Sequence, residues 1–183
     1  MHLPNLKEAK TRSDKEVKII KAQNIKSTKY QGQKYFIKTY GCQMNVHDSE
    51  EIKGILTNLG FTPTEILEEA DIVVLNTCAI RENAHDKVFG FLGRVKHLKK
   101  EKPELIVCVG GCMPEQDSVA SILKEKYPYV DIVFGTHNID DLGNLILNHN
   151  GKQNIEVYSI EGNVYEEMDY VRDSKYTAWV NIM

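Results

Sequence analysis

Lys38-Thr39-Tyr40-Gly41-Cys42-Gln43-Met44-Asn45 is the stretch on which the fold turns. A β-prone run from Lys34 to Tyr40 ends in a tight Gly-Cys turn, and a helical pattern follows it. The same event recurs at Ile72-Val73-Val74-Leu75-Asn76-Thr77-Cys78. It recurs again at Leu105-Ile106-Val107-Cys108-Val109-Gly110-Gly111-Cys112. Cys42 and Cys78 are 36 residues apart, and Cys78 and Cys112 are 34 apart. Such intervals match one β-α-β unit of roughly 30 residues or more. As parallel neighbours, the three runs would present their cysteines at the carboxyl edge of one sheet, where open α/β folds bind ligands.

The segments between these runs carry helical periodicity. Ile52, Ile55, Leu56 and Leu59 predict a helix over 48–59, with Asp48 and Glu51 as its capping pair and Gly60 as its stop. Val88, Leu92, Val95 and Lys99 trace a second helix over 82–100, ended by Pro103. Pro114 is placed to open a third helix, with Val119, Ile122 and Leu123 as its apolar face. A strand over 130–134 and a helix over 139–147, capped by Asn138, complete a fourth unit. Four β-α units in succession predict an α/β fold: a parallel sheet of four or slightly more strands, helices on both faces, flavodoxin- or Rossmann-like.

Residues 34–148 are the expected extent of that domain. Residues 1–33, polar and Lys-rich, read as a basic flexible extension. Beyond 148 the pattern breaks: a short strand over 155–160, an acidic connection over 162–174, and an apolar strand begun at 178–183. These read as a linker and first strand leading into a further domain.

With 183 residues, 42% hydrophobic and 27% charged, the composition is that of a soluble globular chain. No run approaches the ~20 apolar residues of a membrane helix. Met1 to Lys10 lacks the apolar core of a secretory signal. A cytoplasmic monomer with no membrane contact is therefore expected. Residues 1–38 hold ten Lys and Arg against three Asp and Glu, while the remainder holds 13 against 23. A basic arm on an acidic body could draw an anionic polymer to the N-terminus.

In a reducing compartment four cysteines argue for metal binding, catalysis or burial rather than disulfides. Cys42, Cys78 and Cys112 are placed beside helix N-termini, which favour thiolate. Three thiolates are short of the four ligands of a structural zinc, but they suit an iron–sulfur cluster with one open iron. His47 or His85 could instead complete a zinc site in an α/β interaction module. Cys108, inside its strand, reads as a small buried hydrophobe. Asn45, Asn76 and Thr77 are candidates for capping and for hydrogen bonds around the sulfurs. Gly41, Gly110 and Gly111 allow close backbone approach. There is no Gly-x-Gly-x-x-Gly loop and no Walker lysine.

Thr39-Tyr40-Gly41-Cys42-Gln43-Met44-Asn45 with Asp48-Ser49-Glu50, Ala70-Asp71 leading to Asn76-Thr77-Cys78, and Gly110-Gly111-Cys112 together resemble the methylthiotransferases, a radical S-adenosylmethionine family. Gln43-Met44-Asn45 is similar to the tRNA branch, which adds a methylthio group to isopentenyladenosine beside the anticodon. Sister branches act on another tRNA base or on a ribosomal protein. The resemblance implies an auxiliary [4Fe–4S] cluster on Cys42, Cys78 and Cys112 that supplies the sulfur. It also implies a second [4Fe–4S] cluster and S-adenosylmethionine in a following domain, with tRNA held mainly outside this segment. No catalytic residue is expected in this chain, which alone would be a cluster carrier.

Overall fold

The computed structural model describes residues 18–22, 24–79, 84–157, 163–166, 168–172 and 176. In chain order the elements are strand β1 (Lys18–Lys21), strand β2 (Lys34–Tyr40), helix α1 (Gln43–Asn58), strand β3 (Thr62–Pro63), strand β4 (Ile72–Thr77) and helix α2 (Ala84–Glu101). Strand β5 (Ile106–Gly111), helix α3 (Asp117–Lys126), strand β6 (Ile132–Phe134), helix α4 (Leu142–Leu147), strand β7 (Asn154–Glu156) and strand β8 (Asn163–Glu166) follow. Short 3₁₀ turns occupy Leu67–Glu69 and Thr136–Asp141.

Six strands form one all-parallel sheet in the order β3-β2-β4-β5-β6-β7. The α/β class is as expected, and the sheet is larger than four strands because short β3 and β7 extend its two edges. Alternation along the central strands serves both faces, as a parallel sheet covered on each side requires. Val73, Leu75, Val107 and Val109 share one core with Val88, Leu92 and Val95 of α2 and Val119 and Leu123 of α3. Ile72, Val74, Ile106 and Cys108 share the other with Ile52 and Leu56 of α1 and Leu142 and Ile146 of α4. Each fully buried side chain of this size contributes about 1.5–3 kcal/mol.

Several boundaries differ from the sequence expectation. α1 begins at Gln43, not Asp48, because Cys42 is its N-cap and Asn45 takes the reciprocal place three residues on. Asp48 therefore lies within the helix and caps nothing. α3 begins at Asp117 rather than Pro114, and Pro114 sits in the preceding turn. Asn138 is buried inside the 3₁₀ turn that precedes α4 rather than capping that helix. Residues 80–83, at the expected start of the second helix, lie outside the described residues.

The polar N-terminal stretch is partly built into the fold. Tyr30 is buried, stacks on Phe61 at 4.5 Å, and donates its hydroxyl to the Ile146 carbonyl at 3.0 Å. β1 pairs in parallel with β8 as a separate two-stranded sheet, so the expected acidic connection over 162–174 contains a strand. The expected terminal strand over 178–183 lies outside the described residues. No helix among the described residues is long and apolar enough to cross a membrane.

At the amino edge of the sheet, opposite the cysteines, Asp131 is buried between Lys99, the Val107 N–H (2.7 Å) and His149 Nε2 (3.5 Å). Lys99, the last residue of the helical stripe Val88-Leu92-Val95, thus ends on a charge partner instead of in the core.

Candidate cysteine site

The register aligns Tyr40 with Thr77 and Thr77 with Gly111, so the strands β2, β4 and β5 end level with one another. Cys42, Cys78 and Cys112 follow those ends by one or two residues and meet at the carboxyl edge. α1 leaves this edge on one face and α2 on the other. The cysteines therefore lie where the sheet switches direction, the usual ligand crevice of such folds.

One buried asparagine holds the first two loops together. Asn45 Oδ1 accepts the Cys42 N–H at 3.1 Å, and its Nδ2 donates to Asn76 Oδ1 (3.1 Å) and to the Thr77 carbonyl (3.2 Å). Asn76 Nδ2 returns a bond to the Asn45 carbonyl at 2.7 Å and reaches Ser49 Oγ at 3.0 Å. Thr77 Oγ1 donates to the Gly110 carbonyl at 2.7 Å, tying in the third loop, and the Cys78 N–H donates to the Tyr40 carbonyl at 2.9 Å. Asn45, Asn76 and Thr77 are all fully buried. Each thus joins one strand-end loop to the next.

Close packing explains the glycines. A Cβ at Gly41 would strike the Asn45 side chain, and one at Gly110 would strike the Phe134 ring. Of the three glycines at these loops only Gly111 needs left-handed backbone, with φ +96°, and a side chain there would meet the Thr77 carbonyl.

The thiols differ in their electrostatics. Cys42 lies below the ordinary thiol range, first because the Asn45 N–H at the helix start donates to its sulfur, with the Cys78 thiol as a lesser donor. Cys112 moves the other way, to about 11, through burial and then the negative charge of Glu115, Cys78, Asp48 and Cys42. The expectation that helix N-termini favour thiolate at all three positions therefore fails at Cys112. The next helix starts five residues later, at Asp117, too far to help. Cys108 is fully buried in β5, and burial pushes its thiol well up, as a small hydrophobe requires.

His47 does not join the thiols. Its Nδ1 lies 3.8 Å from Asp48 Oδ1 and 3.8 Å from Glu51 Oε1. Among the described residues these three form the one His, Cys, Asp and Glu group whose ligand atoms all lie within 4.8 Å of one another. His85 instead presents its ring edge to Phe89 at 6.5 Å.

Burial raises both carboxyls of this group, Asp48 to about 6 and Glu51 to about 7. Because these acids bind protons more tightly folded than unfolded, their contribution is full below pH ~4 and is lost as pH rises towards ~7. Glu51→Gln is expected to raise the thermal midpoint of the metal-free chain at pH 8 and to leave it unchanged below pH 4. Midpoints that shift equally at both pH values would refute this.

Ser49, Glu115 and Asp48 were not anticipated around the cysteines. Ser49 and Asp48 sit one helical turn behind Asn45, a position visible only once α1 is known to start at Gln43.

Residues 34–135 match the uncharacterized protein family UPF0004. The chain belongs to this family. Relatives named tRNA-2-methylthio-N(6)-dimethylallyladenosine synthase occur in Halalkalibacterium halodurans, 45% identical over 186 residues, and in Shouchella clausii, 48% identical over 186 residues. Another, from Geobacillus kaustophilus, is 48% identical over 187 residues. Each alignment covers 98% of this chain but only 35%, 36% and 35% of the respective relative. The chain spans about a third of the length of the curated relatives it matches. The resemblance to methylthiotransferases carried by the three cysteine motifs is borne out by these names.

Proposed function

We propose that this UPF0004 chain is the N-terminal, cluster-carrying domain of a tRNA methylthiotransferase, with Cys42, Cys78 and Cys112 holding a [4Fe–4S] cluster. The observation that carries this reading is the meeting of three strand-end thiols at the switch of the sheet, while the fourth, Cys108, is sealed inside β5. The donor set fits. The three loops that carry the thiols are tied to one another, and the Cys112 thiol feels the charge of both Cys78 and Cys42. When bound, such a cluster supplies an iron without a protein ligand, at which a sulfur can be held for transfer.

The chain's own residues do the rest. The Asn45 N–H steadies negative charge at Cys42, and the raised Cys112 thiol ionises only against the positive charge of a bound metal. Asn45, Asn76 and Thr77 fix the three loops relative to one another, so the sulfurs hold their spacing before metal arrives.

The relatives' names support the substrate, an adenosine of tRNA bearing a dimethylallyl group, and a cytoplasmic place of modification is part of the same proposal. A second cluster and S-adenosylmethionine belong to the remaining two-thirds of such an enzyme. The competing reading, a zinc-binding interaction module, loses support because His47 is engaged with carboxylates. Anaerobic reconstitution with iron and sulfide is expected to give about four irons per chain and broad visible absorbance. One zinc per chain without colour would overturn the reading.

A further inference from the structure

Glu50, Gly54 and Asn58 lie four residues apart and form one stripe along α1. Residues 168–172 lie along that stripe. Asn58 Nδ2 donates to Asp169 Oδ2 at 2.9 Å, and the Val171 N–H donates to the Glu50 carbonyl at 3.0 Å. The Asp169 N–H donates to Asn24 Oδ1 at 3.0 Å, and Met168 packs against the core beneath α1. Gly54 sits between the two ends of this contact. A Cβ there would run into the Asp169 carbonyl and come within 2.8 Å of Tyr170 Cα. Those are backbone atoms, which cannot swing aside as a flexible side chain would. Glycine inside a helix is otherwise a destabilising choice, so its place here calls for a reason.

The contact also has a direction. Asp169 meets Asn58 near the end of α1, and Val171 meets Glu50 two turns earlier, so the segment runs antiparallel to the helix. It therefore heads for the N-terminus of α1, which is capped by Cys42. We infer that Gly54 is a positioning residue: the notch it leaves fastens residues 168–172 to α1 and aims the polypeptide around Arg172 at the thiol edge. The relatives are roughly three times this length, so under the function proposed above the direction set here governs how the thiol edge faces the rest of such a protein. The fastening rests on the contacts of α1 alone, and only its consequence for sulfur transfer depends on the function proposed above.

Hydrogen exchange on the metal-free 183-residue chain tests it independently of any cluster. Gly54→Ala is expected to speed exchange at the Asp169 and Val171 amides at least tenfold, while the Cys78 amide, bonded to the Tyr40 carbonyl, keeps its protection. Asn58→Ala, which removes one bond without adding bulk, should give a smaller increase at the same two amides. Spin labels on a ketone amino acid introduced at positions 125 and 172, leaving all cysteines in place, should give one narrow distance that broadens in Gly54→Ala with an unchanged thermal midpoint. Protected Asp169 and Val171 amides and a narrow distance in Gly54→Ala would overturn the inference. Should Gly54→Ala not fold, unchanged exchange in both Asn58→Ala and Asp169→Ala would overturn it equally.

Discussion

Replacing Cys42, Cys78 or Cys112 by alanine is expected to cut the iron retained after anaerobic reconstitution by roughly tenfold or more, whereas Cys108→Ala leaves it intact. Loss of a group that merely orients a metal ligand already costs 10–100-fold in affinity, and loss of the ligand itself cannot cost less. The three variants should still fold. Cys42 and Cys112 are only partly buried, and the loops keep their asparagine and threonine bonds. Cys108→Ala does the reverse, since its sulfur fills space between Val74 and Ile132 in the sheet and touches no ligand position. It should lose stability through the void it leaves while binding iron normally. Iron counted per folded chain separates the two effects. If Cys108→Ala abolished iron uptake and Cys42→Ala did not, the ligand assignment would be wrong.

Asn45→Ala is expected to have the largest effect on stability of any single change near the cysteines. Its side chain satisfies the partly buried Cys42 N–H and, in a region closed to water, Asn76 Oδ1 and the Thr77 carbonyl at once. Each buried polar group left without a partner costs about 1–3 kcal/mol, so a loss of about 3 kcal/mol or more should appear in urea unfolding of the metal-free chain. Asn45→Asp is the informative control. It keeps an acceptor for the Cys42 N–H but turns a donor into a second oxygen facing Asn76 Oδ1 and the Thr77 carbonyl. It should be no better than alanine, and below pH 4, where the carboxyl can carry a proton, it should recover part of the loss. A cost under about 1 kcal/mol for Asn45→Ala would mean that water reaches these groups and that the loops are not held by this side chain.

The fold was largely legible because its strongest signals are local. Continuous apolar runs at Ile72–Leu75 and Leu105–Val109, separated by helical stripes such as Val88-Leu92-Val95, leave little besides a parallel α/β sheet. What escaped the sequence was decided by contacts across long separations. The start of α1 was misplaced because cysteine is a poor N-cap by reputation, and its success here depends on Asn45 being held from the far side by Asn76. Thr62–Pro63 joins an edge where a proline is tolerated, which no two-residue pattern announces. Tyr30 reads as part of a polar tail until Phe61 and the Ile146 carbonyl are placed beside it. The cysteines themselves were legible from spacing at strand ends. Their unequal acidity was not, since it follows from which of them caps a helix and which faces Glu115.

Cys108 gives the domain a built-in clock. A thiol with no exposure, three residues inside the end of β5, cannot meet an alkylating reagent through any opening of the carboxyl edge. It becomes reachable only when β5 parts from its neighbours β4 and β6, an event that dismantles both cores. In a pulse-alkylation experiment the three outer sulfurs would therefore be consumed by local breathing, and the fourth would time the collapse of the whole sheet. One unmodified chain thus carries separate reporters for the loosening of its site and for the loss of its fold.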